Sequence, residues 1–155
     1  MKPYAEGTTV SVEKTKAELD ALLGKHGATS RGVMSSDEEG TAFVYFAMAG
    51  ERFQIAVPLP KLGDYSRKGE VPRHWGTRSD RQREEIRHRL WEQACRERWR
   101  TMLLLLKSKL ELVRIGASTI RREFMADLVL ANGKTVGELL SNPRHPLLLG
   151  AAENP

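Results

Sequence analysis

Residues 41–57 read TAFVYFAMAGERFQIAV. Apolar residues alternate on both sides of Gly50, and aromatic and β-branched side chains are frequent, which is typical of β-strands. A two-residue turn at Gly50 and Glu51 predicts a register with one apolar face, whose pairs are Met48 with Phe53, Phe46 with Ile55, and Val44 with Val57. The sequence therefore predicts an antiparallel hairpin of strands Thr41–Met48 and 52–57.

The opposite face of this hairpin carries Phe43, Tyr45, Arg52 and Gln54. Aromatic rings on an open sheet can stack on nucleic-acid bases. Alternatively, the rings pack beneath a second layer, which is the commoner role of such side chains. Both interpretations remain open at this stage.

The remaining periodicity predicts an α+β fold. Residues 11–25 have helical spacing, residues 28–36 are a weaker strand candidate, and helical spacing returns from 79 to about 115. That last helix would be roughly 55 Å long, so we expect a kink or a protruding arm. Thr135 and Glu138 can form a capping box for a short helix. The predicted order is an N-terminal helix, a three-stranded antiparallel meander, a long central helix and a C-terminal helical cap.

We expect one domain, because the chain has 155 residues and compact domains commonly have about 100–150. The domain covers residues 11–140, after a flexible N-terminus at 1–10 and before a loosely held tail at 141–155. Within it, residues 58–78 form a basic loop rich in proline and glycine. A loop of this length is often functional or disordered.

The long helix has two apolar stripes when its residues are placed at 100° steps. The first is Trp91, Cys95, Trp99, Met102, Leu106 and Val113; the second is Ile86, Leu90, Ala94, Leu105, Leu112 and Ile115. The half from Thr101 onward is apolar on almost every side, so we expect it to be buried. Since one small sheet cannot cover both stripes, the sequence predicts a homo-oligomer formed through this helix.

All of the excess positive charge lies in residues 61–100. They hold 12 Lys+Arg and 7 Asp+Glu, which equals the net charge of +5 of the whole chain. All three tryptophans, Trp75, Trp91 and Trp99, lie there too. Arginine grips phosphate and stacks on bases, so the segment predicts a nucleic-acid surface. The alternative is a solvated helix face.

The predicted function is non-enzymatic binding of single-stranded DNA or RNA, for annealing or protection. The candidate residues for phosphate contact begin with a basic ridge on the long helix, Arg89, Arg96, Arg100 and Lys107, which Arg114 extends. The loop and the helix start add Arg73, Arg78 and Arg81, and the sheet adds Arg52. Trp75 and Tyr45 are the candidate stacking rings.

We predict no catalytic residue, no metal and no cofactor. Cys95 is the only cysteine, which excludes an intrachain disulfide and a cysteine-based zinc site. Glu84, His88 and Glu92 share a helix face, but no second motif supplies further metal ligands. The segment 133–135 reads GKT, yet position 128 is leucine where a phosphate-binding loop requires glycine.

We also expect a cytoplasmic protein without a membrane segment. The longest apolar runs, such as residues 102–106, are far shorter than the roughly 20 residues that cross a bilayer. Residues 1–7 lack the apolar segment of a secretory leader.

Four segments, CRERWR at 95–100, residues 103–111, EF at 123–124 and GKTVGE at 133–138, resemble a family of small uncharacterised proteins encoded by phages and prophages. The likeness covers most of residues 12–140, with 61–78 expected to vary. It implies a phage-associated protein in the bacterial cytoplasm that serves DNA metabolism or the contest with host defences. It carries over no residue roles.

The order of helix, three strands and long helix is also similar to the core of Rad52-like phage single-strand annealing proteins. In those proteins a sheet and a helix form a basic groove that holds a strand. Fold likeness alone does not set function. An alternative therefore stands: a phage accessory factor that binds a host protein or sequesters a phosphorylated small ligand.

Overall fold

A computed structural model describes residues 4–36, 40–66 and 80–141, and it shows the predicted α+β fold. Helix α1 (Val12–Lys25) precedes three strands, β1 (Arg31–Ser36), β2 (Thr41–Met48) and β3 (Glu51–Pro58), and the later helices are α2 (Asp80–Arg114), α3 (Ile120–Glu123) and α4 (Val136–Leu140). The strands form one antiparallel sheet in the order β1-β2-β3. The predicted meander is confirmed.

The predicted register of the β2–β3 hairpin is wrong by two residues. Phe46 lies opposite Phe53 rather than Ile55, and the turn residues are Ala49 and Gly50. Both have positive φ, 53° and 78°, as in the type I′ turn whose twist suits a hairpin. The face of every side chain is unchanged, because a shift of two residues preserves the alternation.

The core lies between one face of the sheet and the helices. Phe46 stacks on Phe53 with ring centroids 5.1 Å apart, and Phe124 meets the edge of Phe46 at 5.3 Å. Trp99 and Leu106 of α2 are buried in the same cluster. On β2 the residues alternate between buried and half-buried, so only one face of the sheet is part of the core.

Helix α2 is continuous over 35 residues, which corresponds to about 52 Å. Leu103, Leu106 and Leu110 are buried, but Leu105 is 47% exposed and Leu112 is 41% exposed. The expectation that this half of the helix is buried all round is therefore wrong, because the sheet and α1 cover only one side of it. The exposed stripe on α2 makes self-association a prediction still to be tested.

The two ends of the described chain pack against these elements. Residues 4–10, which we expected to be flexible, contact α2: Gly7 N donates to Glu97 Oε1 at 2.8 Å and Gln93 Nε2 donates to Thr8 O at 3.0 Å. At the other end, Val129 N donates to Arg52 O at 2.9 Å. Thr135 and Glu138 form the predicted capping box of α4.

No helix within 4–36, 40–66 or 80–141 combines the length and the apolar character that a bilayer crossing requires.

Candidate nucleic-acid interface

The sheet face that points away from the helices is not covered by any described helix or strand. Met34 is 63% exposed there, Arg52 is exposed, and Phe43 and Tyr45 are half-buried. The rings of Phe43 and Tyr45 lie side by side, with centroids 6.1 Å apart and planes tilted by 38°. Of the two sequence interpretations, the described residues match the open sheet rather than a second layer.

Tyr45 lies beside empty space because of its neighbour on β1. Gly32 is directly opposite Tyr45, and no heavy atom lies within 4 Å of the position where a Cβ on Gly32 would be. A groove of about 550 Å³ results, and its lining includes Gly32, Met34, Tyr45, Ala47, Arg52 and Gln54. We refer to it as the sheet groove. One side of the Tyr45 ring is thus accessible to a planar ligand.

Arg52 supplies positive charge at this groove. It lies opposite Ala47, two pairs along from Tyr45 and Gln54 and on the same face, and diagonal neighbours of this kind are within reach of long side chains. Arg31, also in the lining, has its Nε 2.7 Å from Asp20 Oδ1. Arg52 makes no ion pair with another described residue, so its guanidinium can meet a phosphate.

The basic ridge is not a continuous row of free cations. Arg100 Nη1 lies 2.6 Å from Glu18 Oε2 on α1, and both side chains are only about one third exposed, at 28% and 38%. Arg114 is paired with Glu111. Arg89 and Lys107 are exposed, without an ion pair among the described residues. Arg100 is therefore paired with a carboxylate of α1, and its contact with phosphate stays a prediction.

Two more predicted residues are held by neighbours on their own helix. Arg81 Nε lies 3.2 Å from Glu85 Oε1, and its side chain stays highly exposed. Arg96 donates to Gln93 Oε1 from Nε at 3.1 Å and from Nη2 at 2.6 Å. Because Gln93 is neutral, Arg96 keeps its full charge, whereas Arg81 is partly neutralised.

The described tryptophans do not form an exposed stacking surface. Trp99 is 1% exposed, and Trp91 is half-buried with its Nε1 donating to Pro60 O at 2.8 Å. The predicted residues Arg73, Trp75 and Arg78 lie outside the described part of the chain.

The predicted residues therefore form two separate surfaces. Tyr45 and Arg52 lie on the open side of the sheet, whereas α2, with Arg89, Arg96 and Lys107, packs on the other side. A second recess lies on that helical side: a cleft of about 320 Å³ between α1, β1 and α2, lined by Lys16, Trp91 and Arg96 among others. The sequence periodicity of single helices could not find it, because Lys16 and Arg96 come from different elements.

Acid–base and metal chemistry have few candidates here. Within the described ranges, no group of three or more His, Cys, Asp and Glu side chains could hold a metal ion. His88 Nδ1 lies 3.2 Å from Glu92 Oε1. Burial raises the pKa of Asp127, against a smaller opposing effect of Lys109, and a hydrogen bond from Arg121 to Glu51 raises the pKa of Arg121.

No protein-family model matches the chain, and neither a curated protein nor a solved structure matches it. The resemblance to phage-encoded proteins therefore remains a prediction from sequence.

Proposed function

We propose that the protein binds single-stranded DNA or RNA, without catalysis, on the open face of its sheet. The observation that carries this proposal is the Tyr45 ring, which borders the space left by Gly32 and has Arg52 close by. An annealing or protective role in a phage-infected bacterium is part of the proposal, through the sequence resemblance.

The geometry favours single strands over duplexes. The bases of a duplex are stacked on one another, so an aromatic ring on a sheet cannot reach their planes. The unstacked bases of a single strand can lie flat on such rings while cations contact the backbone. On this sheet a base would stack on Tyr45 and a phosphate would meet Arg52. Phe43, whose ring adjoins Tyr45, can accept a neighbouring base.

Residues on the helical side contribute at longer range. The chain has a net charge of +5, and a positive field attracts polyanions and speeds their association. Arg89 and Lys107 are exposed cations of this kind. The segment with Arg73, Trp75 and Arg78 brings further positive charge and a third indole. These residues raise the affinity for any nucleic acid, whereas the sheet selects single strands.

A salt titration tests this function. We expect a fluorescently labelled oligo-dT of about 15 nucleotides to bind at low salt, as measured by anisotropy. If about three phosphates are contacted, the Kd should rise roughly tenfold or somewhat more between 50 and 200 mM salt. A duplex of the same length should bind more weakly and compete poorly. The absence of any binding at low salt, or a preference for the duplex, would contradict the proposal.

A further inference from the structure

The cleft between α1 and α2 is built like a ligand site. Its volume of about 320 Å³ falls at the lower end of the range of small-molecule pockets, about 300–1,000 Å³. Its lining comes from the first turns of α1, the end of β1 at Ser35, Leu59 after β3, and the middle of α2. It is separate from the sheet groove, because α1 and α2 pack on the other side of the sheet.

Two cations that have no carboxylate partner among the described residues converge in this cleft. Lys16 Nζ donates to Ser35 Oγ at 3.3 Å and lies 4.9 Å from the centre of the Trp99 ring. Arg96 is oriented by two hydrogen bonds to Gln93 Oε1, and its Nη1 makes no hydrogen bond with any described residue. An anionic group between Lys16 and Arg96 would satisfy both.

Part of the lining of the cleft is apolar. Trp91 is half-buried there, and the bond from its Nε1 to Pro60 O fixes the orientation of the indole. Leu59 and Cys95, 8% and 7% exposed, line the same cleft. An indole that is already fixed in orientation beside apolar side chains favours a planar ring as ligand. The two rings can stack and bury contact area, and no mobile protein side chain has to be ordered.

Two carboxylates complete the lining. Glu92 Oε1 lies 3.2 Å from His88 Nδ1, and Glu13 is exposed in the first turn of α1; both line the cleft. Carboxylates accept hydrogen bonds and repel anions. A ligand for this cleft must therefore combine a negative group at one end with a ring that carries N–H donors at the other.

We propose that this cleft binds a nucleoside monophosphate that has an amino-bearing base. The phosphate lies between Lys16 and Arg96, the base stacks on Trp91, and its exocyclic amino group donates to Glu92 or Glu13. A single phosphate matches the two cations and the small volume. The cleft is thus our candidate site for the phosphorylated small ligand of the alternative hypothesis. This proposal does not depend on the sheet groove or on the function proposed above.

Isothermal titration with AMP, adenosine and inorganic phosphate tests this site. AMP should bind more tightly than adenosine or phosphate, because only AMP engages the cations and the indole together. Arg96→Gln should raise the Kd for AMP about tenfold or more, since hydrogen bonds to charged groups contribute about that factor. Lys16→Gln should act in the same direction, which guards against a folding defect in one variant.

Arg98→Gln is the matched control, because Arg98 is an exposed arginine of the same helix that does not line the cleft. The Kd of this variant for AMP should equal that of the unaltered protein. The inference is overturned if AMP does not bind at about 10 mM, or if Arg96→Gln and Arg98→Gln have equal effects. Loss of AMP binding in Tyr45→Ala but not in Arg96→Gln would place the nucleotide in the sheet groove, which also overturns it.

Discussion

Replacing Tyr45 with alanine should raise the Kd for a single-stranded oligonucleotide by about 5- to 150-fold. This range follows from the roughly 1–3 kcal/mol that one base stacked on an aromatic ring contributes. Tyr45 is half-buried on the open face, where the ring of Phe43 adjoins it. Because it is not part of the core cluster, its loss should leave the fold intact. Anisotropy titrations with oligo-dT measure the effect.

Two variants control for this substitution. Tyr4→Ala removes the same side chain from a position that is 88% exposed on a segment attached to α2, and it should leave the Kd within about twofold. Tyr45→Phe retains the ring and should retain most of the affinity. If Tyr45→Ala and Tyr4→Ala have the same small effect, the sheet does not stack bases.

The role of the space beside Tyr45 can be tested by filling it with a larger side chain at Gly32. Side chains of increasing size at Gly32 should fill the groove, so that the affinity falls from Gly32→Ala to Gly32→Val. Stability should not fall, since Gly32 has open space around its Cβ position and β-branched residues favour strands. This series separates steric blocking from unfolding: a blocked groove lowers the affinity while the stability is kept, whereas unfolding would lower both.

Phe124→Ala should lower the free energy of unfolding by about 3–5 kcal/mol, the usual cost of emptying a buried phenylalanine site. Phe124 is fully buried and contacts both Phe46 and Phe53, with centroids at 5.3 and 5.9 Å. Lys109 Nζ lies 4.9 Å from its ring. Its loss would leave a cavity beneath the aromatic centre of the sheet. Urea unfolding followed by circular dichroism measures the change.

Met125→Ala is the control for this cavity. Met125 is the next residue and is 43% exposed, so its truncation should cost no more than about 0.5 kcal/mol. A loss below about 1 kcal/mol for Phe124→Ala would mean that the segment after α3 is not packed as described. Since Leu128 and Val129 of that segment bond to β3, such a result would also weaken the account of the groove.

Alternation along β2 was enough to predict the strand and its two faces. The bounds Thr41–Met48 and the placement of Tyr45 on the face opposite the apolar one are both found in the structure. The register was not predictable in the same way, because two registers that differ by two residues bury the same set of side chains. The turn decides between the two registers: Ala49 and Gly50 are its first and second central residues, and Ala49 adopts a positive φ of 53°. The sequence pattern does not show that an alanine adopts this conformation.

Helical periodicity similarly predicted the basic ridge but not the residues of other elements that contact it. Arg89, Arg96, Arg100 and Lys107 do share one stripe of α2, yet Arg100 is paired with Glu18, 82 residues earlier in the chain. The groove was missed for a related reason. Gly32 lies opposite Tyr45 only through the β1–β2 register, and residues 28–36 carry a weak strand pattern. Contacts between distant segments cannot be inferred from the spacing within one segment.

Ultraviolet cross-linking tests most directly whether the sheet or the helix binds nucleic acid. An oligo-dT bound at low salt is irradiated, the protein is cleaved with trypsin, and the cross-linked peptide is identified by mass spectrometry. We expect the cross-link on the peptide of residues 32–52, at Tyr45 or Phe43. Cross-links confined to α2 peptides that contain Trp91 or Trp99, with none on residues 32–52, would contradict the proposal that single strands lie on the open face of the sheet.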